Sequence, residues 1–74
     1  MNSLEKFKLL LELDKRRAKV RMVSVRGEEF ICKLYCPAEG EEDFAYHIIT
    51  EEKTPRLLII ECSYIAKIEE IVDD

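Results

Sequence analysis

Hydrophobic positions near the start of the chain recur at helical spacing. Leu4, Phe7 and Leu11 fall at i, i+3 and i+7 and form one stripe with Leu10 beside it, while Leu9 and Leu13 lie on another side. Asn2 followed by Glu5 has the spacing of a reciprocal cap, in which the Asn side chain takes a free backbone N–H and the Glu side chain reaches back. Together they predict a helix over about residues 3–16. Lys15, Arg16 and Arg17 occupy its last turn, where the negative end of the helix dipole favours cations.

Beyond that helix the period drops to two. Val20 and Met22 alternate with Arg21, then Val23 and Val25 alternate with Ser24 and Arg26, so the phase slips once between Met22 and Val23. A bulge or sharp bend is expected there. Gly27 then supplies a tight turn. Phe30, Cys32, Leu34 and Cys36 face one way along a second strand, Lys33 and Tyr35 face the other, and Cys36-Pro37 with Gly40 is expected to end it in an exposed loop. A third strand covers about residues 44–51, Lys53, Thr54 and Pro55 form a loop, and a fourth strand covers 57–61. Cys62, Ser63 and Tyr64 make a short turn before a last strand over 65–71. One helix and five short strands predict a single, mainly β domain over residues 1–74. Its expected form is an N-terminal helix followed, over about 19–71, by a strongly bent antiparallel five-stranded small barrel.

These residues resemble the Sm-like barrel of eukaryotic Sm proteins and bacterial Hfq-type RNA chaperones, and a general SH3-like barrel fits the strand pattern almost equally well. Gly27, Phe30, Cys32 and Leu34 follow the spacing of the first Sm motif. Tyr46-His47-Ile48-Ile49 sits where the family has an apolar strand with a polar base-contacting residue. Where the second motif has an apolar residue, Arg-Gly and two apolar positions three apart, this chain has Ile60-Glu61-Cys62, then Ile65 and Ile68. In the family the Arg-Gly pair helps form the RNA pocket. Glu61 and Cys62 in its place remove a cation and put a carboxylate where phosphate would lie. The family's bend glycine in the second strand is likewise replaced, by Cys32.

The formal charge of −4 conceals a division: residues 1–38 carry a net +4 and residues 39–74 a net −8. The positive excess lies in Lys15, Arg16, Arg17, Lys19, Arg21 and Arg26. The acids gather at Glu39, Glu41, Glu42 and Asp43, at Glu51 and Glu52, and at Glu69, Glu70, Asp73 and Asp74. Such a division suits a solvated face of mixed sign, a nucleic-acid surface, or a head-to-tail contact between identical subunits. No run approaches the roughly 18 apolar residues of a membrane-spanning helix. A cytoplasmic location is expected, with no membrane partner.

Chains of 74 residues often rely on disulfides, metal or oligomerisation for stability. Three cysteines cannot all pair within one chain, so a disulfide staple is not expected. Cys32, Cys36, Cys62 and His47 include zinc-ligand types but lack any CxxC, and core positions suit such cysteines better. His47 with a cysteine could in principle form a base and nucleophile, yet alternation places it opposite Tyr46 and Ile48 as a packed or half-exposed residue. The loop acids are expected near ordinary pKa values. No catalytic residue, metal site or cofactor is therefore expected. Association with copies of itself remains, through Leu57, Leu58, Ile59 and Ile60 as a candidate edge strand and the last strand carrying Ile65 and Ile68. The resembled family pairs its fourth strand with a neighbour's fifth. A strand central to the monomer's own core fits the same apolar run. The alternative is RNA binding by the basic 15–26 segment, with Tyr35 and Tyr46 as stacking faces. The acidic loop from Glu39 to Asp43 is a further candidate surface, for a basic protein partner.

Overall fold

In the computed structural model, which describes residues 1–72, a helix lies across a five-stranded antiparallel sheet. The helix α1 (Ser3–Lys15) opens with the expected cap: Asn2 Oδ1 accepts from Glu5 N–H at 2.8 Å, and Glu5 Oε1 accepts from Asn2 N–H at 3.2 Å. At its other end Arg17 N–H donates to the Asp14 carbonyl and Ala18 N–H to the Leu13 carbonyl, closing a Schellman-type end. That closure holds Arg17 at φ +53°, in the left-handed region where glycine is the usual occupant.

The strands are β1 (Lys19–Ser24), β2 (Glu29–Glu39), β3 (Phe44–Thr50), β4 (Leu57–Glu61) and β5 (Ile65–Ile71), with a 3-10 turn, Cys62–Tyr64, between the last two. They lie in the order β4-β3-β2-β1-β5. Mainly β architecture with an N-terminal helix is as expected. The closed barrel is not seen: among the described residues no ladder joins β4 to β5, because the 3-10 turn carries the chain between them, and the sheet stays open at both ends. Asp73 and Asp74, counted in the acidic half, lie outside the described residues.

Leu10, Leu13, Val20, Met22, Tyr46, Ile48 and Ile65 form the core with Cys32 and Cys62. The helix meets it along a different line from the one the stripe suggested. Leu10 and Leu13 are buried and Leu4 is exposed, because the inward line runs through Phe7, Leu10 and Leu13 with Leu9 and Leu11 at its flanks. That line also carries three polar residues, each bonded to the sheet side. Ser3 Oγ donates to Asp43 Oδ2 at 2.7 Å. Lys6 Nζ donates to the carbonyls of Cys62 and Ile65 at 3.3 and 2.6 Å. Asp14 Oδ2 accepts from the Tyr46 hydroxyl at 2.5 Å. Phe7 adds ring contacts with Phe44 and Tyr46.

Three strand details also differ from expectation. In β1 the inward places go to Val20, Met22 and Ser24 without a break, and the register against β5 shifts between Val23 and Ser24, one residue later than expected. Ser24 tolerates its buried position because its hydroxyl accepts from the N–H groups of Arg26 and Glu28, closing the turn that Gly27 permits at φ +85°. Strand β2 runs on through Cys36 and Pro37 to Glu39. The β1 ladder ends at Lys33, so from Leu34 onward β2 is paired on one side only, where a proline's missing donor costs little. A bulge puts both Tyr35 and Cys36 opposite His47.

Leu10 is central to the seat of the helix and Leu4 is peripheral. Urea unfolding of Leu10→Ala should show a loss of about 2–5 kcal/mol, whereas Leu4→Ala should stay within about 1 kcal/mol of the parent.

Candidate interaction surfaces

Ion pairs divide the basic run. Strand β1 lies antiparallel to β5, and their register sets Arg21 opposite Glu69. Arg21 pairs with Glu69 at 3.1 Å and with Glu29 at 2.5 Å, Arg16 with Glu70 at 2.9 Å, and Lys19 with Glu51 at 2.9 Å. Lys15 keeps a loose 3.5 Å contact with Glu12. Arg17 and Arg26 are exposed and make no ion pair among the described residues. Arg21 holds Glu29 below the usual carboxylate range, and Lys67 first, then Arg21, does the same for Glu69. These exposed pairs set charge distribution more than stability. Tyr46, expected as a stacking face, is wholly buried, and its phenol pKa is raised by burial first and by Asp14 second. Tyr35 remains 61% exposed.

Positive charge instead collects at the C-terminal end of α1. A groove of about 360 Å³ is lined there by Leu11, Lys15, Arg17, Tyr35 and Pro37, with the bonded pair Asp14 and Tyr46 at its base. A smaller adjoining hollow adds Lys33 beside Arg17. Lys33 is exposed and likewise without an ion pair among the described residues. In the sequence Lys33 is one outward residue of a strand, and nothing local reveals that the helix end will stop beside it.

Negative charge collects at the other end of the helix, in the turn between β2 and β3. Asp43 organises this turn by accepting from Ser3 Oγ, Phe44 N–H and Ser63 N–H at 2.7, 2.8 and 2.8 Å. The Ser3 bond first, and the two backbone donors with it, hold its carboxyl below the ordinary range against an opposing effect of burial. The expectation of ordinary titration therefore fails at Asp43. Glu61 Oε1 accepts from Glu42 N–H at 3.3 Å. At Gly40 a Cβ would come within 2.5 Å of that Glu61 oxygen and 2.7 Å of the Asp43 carbonyl, so the close turn needs glycine. Glu39, Glu41 and Glu42 point outward with no ion-pair partner among the described residues.

The remaining surface is apolar. Leu57 and Ile59 on β4 are 59% and 57% exposed, beside Ile49 of β3. Among the described residues β4 pairs only with β3 and is an edge strand, which removes the reading of it as central to the core. Leu58 is half-buried and Ile60 buried, so only alternate residues of the run face outward. At the opposite edge Ile65 is buried in the molecule's own core and Ile68 is partly so; any contact by β5 runs chiefly through its backbone.

No protein-family model, curated protein or solved structure matches this chain. What its surfaces can do must be read from the residues themselves. Cys32 and Cys62 are buried, and burial pushes the Cys32 thiol up to about 11, far from a reactive thiolate. His47 meets Tyr35 edge-on at 6.5 Å, and its buried Nδ1 has no hydrogen-bond partner. Among the described residues no three His, Cys, Asp or Glu side chains gather as a metal site, and no helix is long and apolar enough to cross a membrane.

Asp43 contributes stability that is complete above its unfolded-state pKa of about 3.9 and disappears as pH falls through its lower folded value. Thermal unfolding between neutral and acid pH should show Asp43→Asn less stable than the parent at pH 7, with the difference shrinking below about pH 4; a constant difference would assign the turn to hydrogen bonds alone. Arg17→Gly should relieve the left-handed backbone and raise stability by about 0.5–1 kcal/mol in the same assay.

Proposed function

We propose that this chain is a non-enzymatic interaction module that assembles with copies of itself through the free edges of its sheet. The observation that carries the reading is β4: a short edge strand with Leu57 and Ile59 exposed and no second strand beside it among the described residues. Edges that stay in water are usually blunted by charge, proline or a covering loop. Within β4 the four residues Leu57–Ile60 carry no charge or proline; Pro55 and Arg56 precede them and Glu61 ends the strand. β5 supplies a second free edge of opposite position, so one copy's β4 meeting another's β5 extends the sheet without using the same patch twice. Such a head-to-tail contact closes into a ring or continues as a filament. The resemblance to Sm-like barrels supports the same pairing. A small domain also gains by it, since apolar area left on the monomer is removed from water at about 25 cal/mol per Å².

Gel filtration with light scattering at micromolar protein should return a mass above the 8.7 kDa monomer. The double variant L57K/I59K should return the monomer while keeping the parent circular dichroism. A monomeric parent, or an oligomer indifferent to both lysines, would count against edge assembly.

A further inference from the structure

We propose that the acidic turn between β2 and β3 of one copy docks into the cationic groove at the helix end of another. This rests on the reading that the chain self-associates, but it uses a surface separate from the strand edges.

The two surfaces are complementary in sign, and apart from Lys15 their charges make no ion pair among the described residues. The turn presents Glu39, Glu41 and Glu42, with Asp43 and Glu61 behind them, and none of these five has an ion pair among the described residues. The groove and its adjoining hollow present Arg17, Lys33 and Lys15; among the described residues that line them the one carboxylate is Asp14, which already accepts from Tyr46, and Glu12 lies 3.5 Å from Lys15. Elsewhere the fold pairs its charges, as along β1 and β5. Of the charges without an ion pair among the described residues, those of the turn and the groove gather at two poles, while Lys8, Arg26 and Lys53 line neither.

Distance keeps the poles apart in one molecule. The turn is tied to Ser3 at the start of α1 and the groove reaches Asp14 near its end. Those residues are separated by about 16 Å of helix, more than a glutamate and a lysine side chain together can bridge. A second copy meets no such limit, and a contact between unlike patches is heterologous.

Both partners are also preformed. Asp43, Glu61 and the close approach at Gly40 hold the turn in one shape before any contact. On the other side Arg17 occupies a left-handed position where glycine would be easier on the backbone. That backbone conformation fixes where the Arg17 side chain leaves the helix end. Tyr35, 61% exposed at the groove wall, offers a flat face against which the glutamate stems can lie.

Sedimentation velocity of the full chain tests this with two charge-reversal variants, R17E/K33E and E41K/E42K. All four positions are exposed, so both variants should keep the parent circular dichroism. Parent association should weaken by about tenfold or more between about 20 mM and about 500 mM salt. Each variant alone should lose that salt-sensitive component. Mixed in equal amounts they should regain a complex, because the intact groove of E41K/E42K meets the intact turn of R17E/K33E. Arg17→Gly should weaken the association despite its higher stability. Association that ignores salt and both reversals, yet is lost in L57K/I59K, would overturn the polar contact and leave edge assembly standing. A monomer under every condition would overturn both. A groove that binds a labelled single-stranded RNA oligonucleotide at low salt, loses it in R17E/K33E and shows no recovery on mixing would also overturn the contact.

Discussion

The seating of α1 on the sheet is the constraint on which the rest of the molecule depends. Leu10 and Leu13 supply the apolar part, but the same inward line carries Ser3, Lys6 and Asp14. Bringing polar groups to a core boundary is costly unless each finds a partner. Each does: Ser3 in the Asp43 carboxylate, Lys6 in two carbonyls around the 3-10 turn, and Asp14 in the Tyr46 hydroxyl. These bonds fix more than the helix. The Ser3 bond helps shape the acidic turn, the Lys6 bonds hold the β4-to-β5 connection, and the Asp14 bond forms the base of the cationic groove. One docked element thereby determines where both charged poles lie.

Topology then decides which charges remain. A chain with a basic first half and an acidic second half could have presented two large surfaces of opposite sign. Placing β1 beside β5 instead folds the two halves against each other, so that Arg16 and Arg21 find Glu70 and Glu69, while Lys19 meets Glu51 just past β3. An extended basic stripe, the footprint through which nucleic acid is commonly held, is broken up in the process. What persists is smaller and more directional: a compact cationic groove, a rigid acidic turn and one apolar edge.

Much of the fold was legible in the residues, for physical reasons that differ by element. The Asn2 and Glu5 cap marked the helix start because its chemistry is local. The strands announced themselves by alternation, and Gly27 by the turn it permits. Misreadings arose where tertiary context competes with local pattern. Ser24 took a core position that hydrophobicity assigned to valine, because its hydroxyl closes a turn. Pro37 stayed within a strand because β1 had already ended beside it. The Tyr35 bulge was invisible because alternation continues through it. Tyr46 was given to the surface because nothing in sequence shows that Asp14, 32 residues away, will bury its hydroxyl. The charge poles were half legible: the acids were seen as a loop, whereas Lys33 joins Arg17 only once the helix is seated.

Seated in this way, α1 completes the core of a single copy and leaves an open edge and two unlike poles, the features on which the proposed self-association rests. Small-angle X-ray scattering over a dilution series measures this most directly. Self-association predicts a mass above 8.7 kDa that falls toward that value on dilution, with the radius of gyration falling alongside it. A mass of one chain and an unchanging radius at every concentration would contradict it.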